Sequence, residues 1–206
     1  MRTVPLLIGW FATRLLVLLS GFSLIPYPES QYLFSDVRLY DWWAGNIANG
    51  FFPINDQMWQ YPPLAAVVFL AGYLIAPGTV GFVFLALVAD LAIMLLLLVR
   101  GRELSNNLPA ITWLVAALVI GPILLGRFDV FPTLAAVFAL LYVSSPKKFG
   151  SALAIGALLK VWPILLLLAA PKKKLTRVLL WFAVTFGTGC LLLSIWWDES
   201  FSFLWE

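Results

Sequence analysis

Apolar residues in this chain come in long unbroken runs set apart by short polar gaps. The runs are residues 4–26, 63–76, 79–99, 108–125, 130–143, 149–170 and 178–195. A bilayer core of about 30 Å takes about 20 helical residues, so the pattern predicts an all-α, polytopic integral membrane protein. Residues 1–206 form one membrane domain, with a first span at 4–26, an outer loop at 27–62 and the remaining spans within 79–196. The first run follows Arg2 and closes at Pro26 and Pro28. Arg14 interrupts it and no small-residue cleavage site follows, which predicts an uncleaved anchor.

Two runs depart from simple spans. Residues 63–76 lie between Pro62-Pro63 and Pro77-Gly78; they are too few to cross comfortably and predict a re-entrant or juxtamembrane helix on the outer side. Residues 149–170 lie between Lys147-Lys148 and Lys172-Lys173-Lys174. If both clusters are cytoplasmic, this run is a hairpin of two short helices turning near Lys160-Val161-Trp162-Pro163, because proline breaks a helix.

The longest polar interval, Ser35–Pro63, has its own period. Val37, Tyr40, Trp43, Ala44, Ile47 and Ala48 recur at helical spacing, with Arg38, Asp41, Gly45 and Asn49 opposite. That predicts a short amphipathic helix on the membrane surface, capped by Ser35 or Asp36 and ended by Gly50.

With 63% hydrophobic and 11% charged residues, composition excludes an ordinary soluble domain. The single cysteine, Cys190, excludes an internal disulfide, and the lack of histidine leaves a carboxylate as the only general base. Net charge is +3, and its distribution says more. Arg2, Arg100, Arg102, Lys147, Lys148, Lys172, Lys173, Lys174 and Arg177 occupy the end and the short gaps, which the positive-inside rule makes cytoplasmic. The loop with Glu29, Asp36, Asp41 and Asp56 against Arg38 falls on the opposite side. Because the basic residues anchor turns and form no single face, no nucleic-acid partner is implied. Trp42, Trp43, Trp59, Trp162, Trp196, Trp197 and Trp205 gather outside, with Trp10, Trp113 and Trp181 nearer the inner interface.

Two charges sit deep in full spans. Arg14 lies ten residues past Val4, and Asp90 ten before Arg100. At about 1.5 Å per residue both are roughly 15 Å from the inner surface, so they are expected to pair across adjacent helices. Otherwise Arg14 snorkels inward and a protonated Asp90 bonds to a backbone carbonyl.

This topology brings Asp36, Arg127, Asp129 and Lys160 to one outer surface. Four pieces, Asp36-Val37-Arg38-Leu39-Tyr40, Tyr61-Pro62-Pro63-Leu64, Gly126-Arg127-Phe128-Asp129 and Lys160-Val161-Trp162-Pro163, follow in order with apolar spans between them. Together they resemble the polyprenyl-phosphate-sugar-dependent glycosyltransferases of the GT-C superfamily, most closely family 87, the α-mannosyltransferases. Asp90 fits that family's second-span acid. The resemblance runs from Arg2 to about Pro171 and implies a GT-C-like bundle. Since relatives are usually nearly twice as long, it marks the chain as an N-terminal catalytic module. It also implies a polyprenyl-phosphate sugar donor, with mannose as the sugar, and a lipid-linked or glycan acceptor outside the cytoplasmic membrane.

A glycosyl phosphate carries its own leaving group, so one base and some cations suffice, and direct displacement inverts the anomeric centre. Asp36 is the candidate base, against a role as helix cap; Asp41 is the fallback. Arg127 and Lys160 are candidates for lipid phosphate. Against that, Arg127 pairs locally with Asp129, and Lys160 snorkels. Tyr40 and Tyr61 stack on sugar or anchor at the interface, and Asp41 and Asp56 are expected to be solvated. Asp36 with Asp129 is the one pair a divalent metal would use; no cofactor is predicted. The competing class is a small transporter or a structural subunit. Inverted repeats are not evident, and convergence of Asp36, Arg127 and Lys160 on one outward-opening cavity separates the classes.

Overall fold

The computed structural model describes residues 3–53 and 56–197. Arg2, Asp198 and Trp205 lie outside the described residues. Among those described, the secondary structure is entirely helical. Its main helices are α1 (Thr3–Gly21), α2 (Ser35–Ala48), α3 (Leu64–Ile75), α4 (Thr79–Glu103) and α5 (Leu108–Ile120). They continue with α6 (Ile123–Gly126), α7 (Val130–Leu141), α8 (Pro146–Leu159) and α9 (Leu175–Trp196). By length and composition, the segments Thr3–Gly21, Thr79–Glu103 and Lys172–Trp196 are able to cross a membrane. This is the all-α architecture of a polytopic membrane protein.

Charge sorts the bundle into two ends. Arg102 Nε donates to Thr3 Oγ1 at 2.9 Å, and Lys174 Nζ donates to the Ser144 carbonyl at 2.7 Å. A surface cleft joins Arg100 and Glu103 to Tyr142 and Ser145. The start of α1, the end of α4, the α7–α8 turn and the start of α9 therefore share a basic end. The opposite end, the site end, carries α2, the loop to α3 and the tips at Arg127 and Lys160.

Residues 149–170 do form a hairpin. Lys160 is extended at φ −158° and ψ 140°, and a 3₁₀ segment, Trp162–Ala169, runs back toward the basic end. Pro163 denies α8 a continuing hydrogen bond and packs on Gly156. The return lets α9 lie parallel to α8: Gly150 meets Val178, Thr185 Oγ1 donates to Ser151 Oγ at 2.7 Å, and Leu158 meets Gly189.

The short run 63–76 becomes α3, packed between α2 and α4 at the site end. Several expected boundaries shift. The first helix stops at Gly21, not Pro26. The run 108–125 breaks where Gly121 takes φ +66° before Pro122, dividing it into α5 and α6. Glycine accepts that left-handed backbone without a Cβ clash, and the break aims Arg127 into the site end.

Helix α2 buries Val37, Tyr40, Trp43, Ala44 and Ile47, five of the six apolar positions expected, while Ala48 is exposed. This face packs on α3 and α4 rather than on lipid. Gly50, at φ +87°, ends the helix as expected. Its N–H reaches the Ile47 carbonyl at 3.0 Å and that of Phe51 reaches Asn46 at 3.0 Å, the two bonds of a Schellman motif.

Deep in the bundle, Arg14 and Asp90 pair through two parallel bonds, Nε to Oδ2 at 2.7 Å and Nη2 to Oδ1 at 2.8 Å. Trp10 and Trp113 donate their indole N–H groups to the same carboxylate at 2.7 and 2.8 Å. These tryptophans serve a buried acid rather than the lipid interface. One knot thus joins α1, α4 and α5.

Candidate active site

A floor of aromatic rings supports the site end. Tyr40 of α2 stacks on Phe69 of α3 with centroids 4.4 Å apart and planes 8° off parallel. Tyr61 stands edge-on to Tyr40, Phe69 and Phe128, and Trp43 meets Trp59 in the same manner at 5.0 Å. Such pairs add about 0.5–1.5 kcal/mol each beyond area burial, so the polar groups above them stand on a stiff base. Trp43 and Trp59 are buried in this floor rather than placed at a lipid interface. Trp59 Nε1 is buried without a partner among the described residues.

Two acids expected to be solvated hold this floor together. Asp56 accepts from Trp43 Nε1 at 2.7 Å and from the Met58 N–H at 2.9 Å. Asp41 accepts from the Gly78 N–H at 2.6 Å, tying α2 to the α3–α4 turn.

Asp36 does not cap α2. The N-cap residue is Phe34, without a side-chain cap bond, and Asp36 lies in the first turn. Its carboxylate pairs with Arg127 and accepts from Ser35 Oγ at 3.4 Å. Asp129 begins α7 and receives Lys160 Nζ at 2.7 Å. Arg127 thus pairs across the bundle and not with its neighbour Asp129. Each carboxylate of the suspected metal pair faces a cation, and the described residues include no group of three or more metal-ligating acids or cysteines.

Asp36, Tyr40, Tyr61, Arg127 and Lys160 line one open cavity of about 330 Å³, whereas Asp129 stays outside it behind Lys160. The phenol oxygens of Tyr40 and Tyr61 are 2.9 Å apart. With its ring packed in the floor, Tyr40 presents its hydroxyl and not a stacking face. Burial is the largest influence on both phenols and raises their pKa. For Tyr40 the bond to Tyr61 adds to the rise; for Tyr61 the bond to Tyr40 and the charge of Lys160 oppose it. Both therefore stay neutral at physiological pH, as hydrogen-bonding groups. The sequence reading missed the opposite wall, Gln57, Met58 and Gln60; nothing in their spacing points to it.

Two further depressions adjoin the cavity. A groove of about 700 Å³ between α7 and α8, walled by Phe131, Leu134, Phe138, Ile155 and by Val68 of α3, runs from Lys147 and Lys148 to Leu159, the residue before Lys160. On the other side, across Gln57 and Met58, lies an open pocket of about 600 Å³ that includes Trp42, Asn46 and Asp56.

The sequence model of glycosyltransferase family 87 matches residues 59–205. That range includes Tyr61, Arg127, Asp129 and Lys160 but starts after Asp36 and Tyr40, and it extends past Pro171, where the motif resemblance stops. No curated protein and no solved structure matches the chain.

Proposed function

We propose, since this chain belongs to glycosyltransferase family 87, that it transfers a sugar, mannose by resemblance, from a polyprenyl-phosphate donor to a lipid-linked or glycan acceptor. The reaction takes place on the extracytoplasmic face of the cytoplasmic membrane. One observation carries the reading: Asp36, Arg127 and Lys160 line a single cavity, beside an apolar groove that ends at Leu159. An amphiphile with an anionic head needs those two environments side by side. A transporter or structural subunit has no need of that conjunction. The basic clusters gather at the far end of the bundle, which supports an outward-facing site.

In this reading the polyprenyl chain lies along Phe131, Leu134 and Ile155, and its phosphate meets Arg127 and Lys160. The phosphate replaces Asp36 and Asp129 as counter-ion, and Asp36 is released to take the proton of the acceptor hydroxyl. The acceptor oxygen bonds to the anomeric carbon as the carbon–oxygen bond to phosphate breaks. The electron pair leaves on the phosphate, where the two cations stabilise it, and the anomeric centre inverts. Tyr61 offers a neutral hydroxyl to the sugar or phosphate, and Asp129 holds Lys160 until the donor arrives.

The test is transfer by the full chain supplied with polyprenyl-phosphate mannose and a panel of lipid-linked and glycan acceptors. Wild-type protein is expected to transfer, and Asp36→Asn to lose about 10²–10⁴ in turnover, the worth of a positioned base. Near-normal turnover by Asp36→Asn removes Asp36 as the base.

A further inference from the structure

The pocket across Gln57 and Met58 differs in chemistry from the ion-pair cavity beside it. No cation lines it. Its walls carry apolar surface in unusual positions for the polar end of a bundle: Trp42 is 56% exposed, Phe51 71% and Met58 61%. Between them stand the amides of Asn46 and Gln57, whose side chains make no hydrogen bond with another described residue, and the carboxylate of Asp56. Asp56 is fixed by Trp43 and by the Met58 N–H, and Phe52 is braced by Trp59 and Trp197 at 5.2 and 5.6 Å. These contacts tie the described walls of the pocket to the aromatic floor.

Exposed aromatics at a membrane protein's polar end commonly anchor in the headgroup layer. Here the two amides lie among the rings, and pressing them into acyl chains leaves them without hydrogen-bond partners, an unfavourable transfer for a polar group. A pyranose ring matches both kinds of wall. Its C–H face lies on an indole or phenyl ring, and its hydroxyls exchange bonds with amides and carboxylate. A volume of about 600 Å³ falls within the usual range of small-molecule sites, about 300–1,000 Å³. Among the described lining residues the one charged group is the Asp56 carboxylate, which disfavours an anionic ring such as a uronate or a phosphorylated sugar.

We infer that this pocket binds a neutral pyranose of the acceptor, holding it across Gln57 and Met58 from the donor phosphate on Arg127 and Lys160. The assignment rests on the glycosyl-transfer reading and names the acceptor's class: a carbohydrate with an uncharged ring next to the reacting centre, rather than a bare lipid alcohol.

The experiment is saturation-transfer NMR on the full chain in detergent, with methyl α-mannopyranoside as the probe and farnesyl phosphate as a separate anionic ligand. Saturation is expected to reach the pyranoside's C–H face and to fall at least five-fold in Trp42→Ala and in Asn46→Ala. It should persist in the Arg127→Ala/Lys160→Ala double variant and with farnesyl phosphate bound. Methyl glucuronopyranoside should give at least five-fold less signal than the mannoside. Retained farnesyl phosphate binding shows that Trp42→Ala is folded; should that variant lose both ligands, Phe51→Ala, which lines this pocket and not the ion-pair cavity, decides in its place. The inference is overturned if the wild-type protein gives no pyranoside signal, or if the folded pocket variants keep it in full. It is equally overturned if farnesyl phosphate displaces the pyranoside, which would put the sugar in the ion-pair cavity. Pyranoside binding with no farnesyl phosphate binding to wild type would instead sink the donor reading and leave this pocket standing.

Discussion

Two arginine–aspartate pairs in this molecule use the same chemistry in opposite surroundings. Arg14 and Asp90 are 2% and 0% exposed, and both carboxylate oxygens are filled twice, by the guanidinium fork and by the indoles of Trp10 and Trp113. Arg127 and Asp36 are 54% and 29% exposed and meet through one contact; Lys160 and Asp129 beside them are 36% and 52% exposed. A buried, saturated pair has no vacancy for a ligand, and removing one partner strands the other, at a typical cost of about 3–5 kcal/mol. An exposed pair is worth about 0–1 kcal/mol, so a phosphate can take a carboxylate's place at little cost. The closed pair holds helices together, and under the proposed donor reading the open pairs keep two cations ready for exchange.

The contrast can be broken most sharply at the closed pair. Arg14→Met and Asp90→Leu should each destabilise by about 3–5 kcal/mol, and the double variant by clearly less than their sum, as read from thermal unfolding in detergent. Additive losses would show that the pair is uncoupled. At the open pairs the effect should move from stability to ligand. Arg127→Ala and Lys160→Ala should each weaken farnesyl phosphate binding about 10- to 150-fold, matching about 1.5–3 kcal/mol for a charged hydrogen bond. The melting temperature should barely change, and a large drop would make these residues structural. The smallest effect has the opposite sign. Asp129→Asn frees Lys160 from its competitor and should tighten farnesyl phosphate binding by up to about five-fold, the upper end of an exposed pair's worth. Weaker binding in that variant would mean that Asp129 is needed to position Lys160 even in the bound state.

The features legible in the sequence were those that reduce to distance along the chain. Apolar runs marked the helices, charge marked the two ends, and lysine clusters flanking Pro163 marked the hairpin. Counting residues from the basic end put Arg14 and Asp90 at one depth, and the structure pairs them. Choices among several partners at similar range were not legible. From sequence Asp36 reads as base or cap, Asp41 as solvated or fallback base and Asp56 as solvated, yet each has its own distant partner: Arg127, the Gly78 N–H and the Trp43 indole. Tyr40 resembles a sugar platform until Phe69 is found against its face. Hydropathy alone also hid the break at Gly121, although a glycine followed by proline is a local turn signal.

The height of the Lys160 ammonium is metered by α8. Both limbs that meet at Lys160 start from the lysine-bearing end, and α8 spans 14 residues, about 21 Å at 1.5 Å per residue. Deleting one residue from α8 would lower that ammonium by about 1.5 Å and swing it about 100° around the axis, away from Asp129. Under the proposed donor reading, the length of α8 therefore sets the depth at which that ammonium meets a lipid phosphate, a level fixed in turn by bilayer thickness.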